Sequence, residues 1–291
     1  MRPLPSWRYN LRVSEPRIAV VGHVEHVTIG RVPAVPGPGE IVHLEEPLWF
    51  PGGGGGVAFW QLVRSPAELH LFTAVGDDAA GQAVAAELAT SGAHVHAVRR
   101  TAPHTRDVAM IDPAGERTIV VVGTPLHPRA DDPLPWASLA GFDAVYFTAE
   151  DPAALRAARA ARVLVVTARR RPSLIASGVR ADVVVGSLRD PREASLRVDY
   201  AAPPAALVLT DGARGGRIET EDGTATFEAP PAPRAGGGAY GAGDSFAAAL
   251  TFFLAARVPI REACARASHH GAAVLAGLDP RAGQLVLELP R

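Results

Sequence analysis

No lysine occurs in the 291 residues: all 29 basic side chains are arginine. Chemistry that needs an amine is thereby excluded, including the phosphate-loop lysine, the lysine of protein kinases, Schiff bases and pyridoxal phosphate. Cysteine is present once, at Cys264. It can form no internal disulfide, so a reducing compartment is expected, and its place in an apolar helical stretch gives it a packing role. Charge of either sign is also in short supply as a surplus, the net value being -1. Beyond Arg169, Arg170 and Arg171 there is no basic block, which argues against a nucleic-acid partner. No apolar run is long enough to span a bilayer, and residues 1–16 lack the apolar centre of a signal peptide. The expectation is a cytoplasmic protein without a membrane partner, with a flexible tail over 1–16 and one domain over 17–291.

What is present is an α/β alternation in a chain that is 47% apolar. RIAVVGHVEHV (17–27) reads as a buried strand ending at Gly22. A dinucleotide fold would place GxGxxG there, and GHVEHV does not supply it. Glu40 to Glu45 read as a short strand of a small β element broken by proline and glycine. PGGGGG (51–56) leads into an apolar helix. LHLFTAV, a helix capped by Asp77 or Asp78, and HVHAV follow, then a hairpin turning at Asp112 and Gly115. Strands recur at FDAVYFT, RVLVVTA, ADVVVGS and ALVLTDG, a hairpin follows at 214–229, and two helices over 242–256 and 260–276 close the chain. Continuous apolar strands separated by helices imply a three-layer, doubly wound, mostly parallel sheet.

Ligands of such sheets bind beyond the carboxyl ends of the strands. Three glycine-rich stretches stand there or open a nearby helix: PGGGGG, TDGARGG (210–216) and GAYGAGD (238–244). The last begins a buried helix. Its first backbone N–H groups have no internal partner, and side chains as small as Gly241, Ala242 and Gly243 leave them bare to an anion. Asp244 beside them reads either as a first-turn carboxylate or as a base.

These pieces together resemble the ribokinase-like, or PfkB, family of sugar and nucleoside kinases, from about residue 17 to 284. GAGDSF is similar to the heart of that family's C-terminal signature and PGGGGGVA to its N-terminal signature. AVGDDAAGQAVAAEL resembles the segment after the first glycine motif, and VLTDGARGG the nucleotide-phosphate loop. The resemblance implies phosphoryl transfer from ATP, with Mg2+, to a hydroxyl of a small sugar-like or nucleoside-like substrate. Asp244 would be the general base, and the N–H groups of Gly241, Ala242 and Gly243 the anion hole. Ser187, Thr210, Gly212 and Gly215 would line the nucleotide, while Glu25, Gly53 and Gly54 would line the substrate. A β lid over about 28–48 and 106–123 would close the site, and lid strands of this family pair between subunits, so a homodimer is expected.

Departures from the family pattern set up a competing expectation, a weak or inactive relative that binds nucleotide or sugar as a sensor. Gly238 stands where the family has the aspartate of DTxGAGD. SLRD (187–190) stands for NxxE, leaving Asp190 to hold magnesium through water. In GxxNxD, Glu25 takes the asparagine position and Val27 that of the sugar-contacting aspartate. His23 and His26 flank Glu25 and imitate a metal site without a third ligand. His94 and His96 share one strand face and read as solvated. His269 and His270 fall where the family holds adenine. Arg106 opens a lid strand and reads as a surface residue or an anion contact, and Phe59 and Trp60 read as core.

Overall fold

A computed structural model describes residues 15–231, 233 and 238–290. Most of the expected tail (1–14) and two of the glycines before GAYGAGD, 236 and 237, lie outside the described residues. In chain order the strands are β1 (Arg17–Val21), β2 (Glu25–Arg31), β3 (Glu45–Gly52), β4 (Glu68–Gly76), β5 (His94–Arg100), β6 (Arg106–Ile111), β7 (Arg117–Val122), β8 (Ala144–Phe147), β9 (Val163–Thr167), β10 (Val183–Ser187), β11 (Ala206–Thr210), β12 (Gly216–Thr220) and β13 (Gly223–Phe227). The main helices are α1 (Gly53–Val63), α2 (Ala79–Ala89), α3 (Pro152–Ala158), α4 (Arg171–Ser177), α5 (Ala242–Ala255) and α6 (Ile260–Ala273).

Nine strands form one sheet in the order β13-β12-β11-β10-β9-β8-β1-β4-β5. It is parallel except for the terminal hairpin β12 and β13. Side chains alternate across each strand, so an apolar run feeds both faces. In β1, Ile18 and Val20 join the core shared with α1, α5 and α6, while Ala19 and Val21 join the core under α3 and α4. This is the three-layer arrangement that the alternation predicts. Asp78 caps α2 by accepting from Gly81 N at 2.9 Å.

A second sheet, ordered β3-β2-β6-β7, stands apart. Val27, Ile29, Phe50, Ala109 and Ile111 form its inner face and pack on Val57, Tyr240 and Leu278. One strand differs from the sequence expectation. The expected strand 40–45 is irregular up to residue 44, with β3 running from Glu45 to Gly52. Pro47 and Pro51 suggested a strand end, but β3 is an edge strand, where a missing N–H costs no ladder bond. Phe59 is buried and Trp60 half-buried in the core that the large sheet shares with α1, α5 and α6, as expected. Cys264 is buried too, and burial pushes its thiol up to about 12.

Candidate active site

Beyond β1 and β8 the chain converges on Asp244 from three directions. Gly241, the residue before α5, has φ 79°, and Ala242 begins the helix, so Asp244 falls in its first turn. A Cβ at Gly54 would stand 2.9 Å from Thr148 Oγ1, 3.2 Å from Asp244 Oδ1 and 3.5 Å from His23 Cε1. Only glycine brings the start of α1 this close to the carboxylate. Around Gly243, by contrast, a Cβ would meet nothing within 4 Å. Its backbone is exposed without any packing demand for glycine, which leaves the surface accessible to a ligand.

Asp244 is half-buried, and its carboxyl is pushed up to about 6, first by burial and then by the negative charge of Glu193. The charges of Arg117 and Arg169 and a hydrogen bond from Tyr146 oppose that rise. An acid balanced there is ionised at neutral pH yet basic enough to take a proton.

On the lid side, Gly53 has φ 71° and donates its N–H to Tyr240 Oη at 3.0 Å. A Cβ there would lie 2.8 Å from Glu25 Oε2. Glu25 is buried beside His23, whose Nε2 is 3.6 Å from Oε1. Burial pushes the Glu25 carboxyl up to about 9, and a hydrogen bond with Asp107 adds to the rise. Asp107 is itself 3% exposed, with Oδ1 lacking a hydrogen-bond partner, and burial raises its carboxyl as well. One proton is therefore shared between two buried acids. Asp107 pairs in register with Val27, so a carboxylate stands one strand over from the position where the family resemblance implies an aspartate.

Ser187 and Thr210 end β10 and β11 side by side in register. Gly212 and Gly215 follow with φ 57° and 81°. At Gly215 a Cβ would press on Phe227 O at 2.0 Å, so the tight return into β12 requires glycine. These four expected nucleotide residues form one group, and Glu25, Gly53, Gly54 and Asp244 form another. Asp190 sits at neither centre: its Oδ2 and Glu193 Oε1 both lie 2.6 Å from Arg169 Nη2, and its Oδ1 accepts from Arg192 N at 2.9 Å. Two carboxylates form an oxygen donor set suited to a hard divalent cation held through its waters, whereas Arg169 between them stands in the way of direct coordination. The space an aspartate at 238 would need is filled, since a Cβ on Gly238 would be 2.4 Å from Ile111 Cδ1.

Sequence reasoning missed Asp107, Thr148, Tyr146, Tyr240, Arg169, Arg170 and Glu193. Asp107 carried a signal, a charge at an inward position of the alternation D-x-A-x-I. Arg170 donates Nε–H to Thr148 O at 2.9 Å, pairs with Glu150, and reaches His127, whose ring meets His23 edge-on at 4.9 Å. Burial holds the His23 and His127 imidazoles below their usual range, so both are neutral. His26 stacks on Trp49 at 4.8 Å instead of joining His23. Arg106 reaches Asp78 at 3.7 Å on the surface, His270 is buried beside Phe253, and His269 is exposed.

A family model described as pfkB family carbohydrate kinase matches residues 15–283. No curated protein sequence matches the chain. Among solved structures, the ribokinase of Thermotoga maritima is similar at 17% identity and TM-score 0.73, over 93% of this chain and 96% of that one. The ADP complex of ribokinase from Cryptococcus neoformans var. grubii serotype A is similar at 18% and 0.74, over 94% and 98%. Phosphofructokinase-2 from Escherichia coli, solved with substrates and products, gives 15% and 0.71, over 94% and 95%. These likenesses establish a ribokinase-like fold.

Proposed function

The chain belongs to the pfkB family of carbohydrate kinases, and on that premise we propose that it moves the γ-phosphate of ATP to a hydroxyl of a small polyhydroxylated substrate, with Asp244 as the base. The observation that carries this reading is the placement of Asp244 in the first turn of α5, beside the exposed backbone of Gly243 and against Gly54, where a Cβ would stand 3.2 Å from its Oδ1.

Asp244 takes the proton of the attacking hydroxyl, whose oxygen then bonds to phosphorus as the bond to the leaving ADP oxygen breaks. The N–H groups of Gly241, Ala242 and Gly243 hold the charge on the transferring group, which is why the chain can dispense with lysine. Ser187, Thr210, Gly212 and Gly215 hold the nucleotide end. Asp190 and Glu193 would hold the waters of Mg2+, which neutralises phosphate charge when bound. Glu25 and Asp107 together act as donor and acceptor toward substrate hydroxyls, the ionised oxygen accepting and the protonated one donating. Neutral His23 and His127 add no charge, so a neutral sugar or nucleoside suits this wall better than an anion. A phosphorylated acceptor would meet the negative charge that the Glu25 and Asp107 pair retains.

The competing reading, a ligand-binding relative without turnover, is favoured by Arg169 standing between Asp190 and Glu193. ADP release in the presence of Mg2+, tested against neutral sugars and nucleosides, separates the two: release on one acceptor supports the kinase, and nucleotide binding without release on any of them supports the sensor. We further propose a homodimer in which β7, the exposed edge of the small sheet, meets a second copy of the chain. A cytoplasmic setting fits the lone thiol of Cys264.

A further inference from the structure

At the opposite end of the large sheet lies a second cluster that the kinase reading does not use. Glu68 opens β4 and His94 opens β5, and the two strands pair in parallel with His70 directly opposite His94. Alternation puts Glu68 and His70 on one face of β4 and His94 and His96 on the same face of β5. The sequence alone suggested two solvated histidines there. Instead His96 is half-buried and engaged with His70, which is 9% exposed.

From this arrangement we infer that Glu68, His70 and His94 form a binding site for a zinc-type divalent ion. One ligand atom from each of the three residues lies within 4.8 Å of the others. Around a tetrahedral ion with bonds of about 2.0–2.2 Å, ligand atoms stand about 3.4 Å apart. His70 Nε2 and Glu68 Oε1 are already 3.0 Å apart, so the ion needs chiefly an approach of His94, an exposed side chain whose ring already lies 4.4 Å from that of His70. Two imidazoles and one carboxylate select zinc or a neighbouring transition metal over magnesium. Three protein ligands at a surface leave the fourth position to water.

The surroundings are those of a metal site. With the ion on His70 Nε2, the ring proton resides on Nδ1, and His96 Nε2, 3.0 Å away, accepts it and fixes the ring. Arg17 donates Nε–H and Nη2–H to the two Glu68 oxygens, at 3.0 Å each, and orients that carboxylate while lying over Phe142. Binding exchanges the Nη2 and His70 contacts on Oε1 for one bond to the ion. The edge strand β5 is then cross-linked to β4, at the end of the strands remote from Ser187 and Thr210.

The test is calorimetric titration of the untagged full chain with zinc chloride, backed by the visible absorption of the cobalt form. One ion per chain at micromolar affinity or tighter is expected, with tetrahedral cobalt bands and a raised melting temperature. His94→Ala and Glu68→Gln change exposed side chains and should each weaken binding at least about tenfold, while His269→Ala should leave it unchanged. A wild-type chain that takes up no zinc, or a His94→Ala chain that binds it equally well, would overturn the assignment. Neither outcome depends on whether the chain is a kinase.

Discussion

Asp244 sets the pH response expected of the reaction. Its carboxyl sits at about 6, so the basic form is lost as pH falls through that value. A plot of log kcat/KM should climb with pH to about 6 and level off above it, the opposite limb belonging to other groups. Asp244→Asn should lower kcat by roughly 10²–10⁴-fold with ATP affinity nearly unchanged, since it removes proton acceptance and little else. Glu25 gives a separate, structural prediction. Unfolded, it ionises near 4.5, and folded it keeps its proton up to about 9. Between those values the native state binds more protons, so stability declines as pH rises across that window. Glu25→Gln removes this contribution, and its melting temperature should fall less than the wild type's between about pH 5 and 8, as thermal scans across that range would record.

The first turn of α5 separates what glycine does for folding from what it does for function. Gly241, at φ 79° with Val57 and Pro280 atoms 3.0 Å from a Cβ, is required by the backbone. Gly241→Ala should cost about 1–2 kcal/mol in denaturant unfolding. Gly243→Ala meets no neighbour and should leave stability within about 0.5 kcal/mol while reducing turnover, because it covers the surface proposed for the phosphoryl group. Both consequences were partly legible beforehand: small residues before an apolar helix announce a bare helix start. The parallel strands were legible too, because burial on both faces leaves a continuous apolar run. β3 was not, since prolines 47 and 51 imitate a terminus unless the strand is known to lie at an edge. The place of Asp107 beside Val27 was hidden for a different reason. The register of β2 against β6 makes it a neighbour of Val27, and no local pattern encodes that pairing across 80 residues.

At the scale of the molecule, the small sheet exposes one side of its apolar margin. Ile119, Val120, Val121 and Val122 of β7 are 37%, 49%, 47% and 48% exposed, on a strand with one unpaired edge. Such an edge invites a second strand, and light scattering at micromolar concentration should find a dimer that Val121→Glu converts to monomer. No helix among the described residues is long and apolar enough to cross a membrane. The proposed site residues come from different elements, with Glu25 and Asp107 on the small sheet, Ser187 and Thr210 on the large one, and Asp244 in the first turn of α5. On the proposed function, substrate recognition falls to the small sheet and phosphate chemistry to the large one.

The most direct measurement is coupled ADP release by the wild type, Asp244→Asn and Asp107→Asn, with ATP and Mg2+ against neutral sugars and nucleosides. Release on at least one acceptor is expected. Asp244→Asn should lose kcat, and Asp107→Asn should raise KM for that acceptor while binding ATP normally. Turnover that survives in Asp244→Asn would contradict the assignment of the base, and ATP bound without release on any acceptor would contradict the kinase itself.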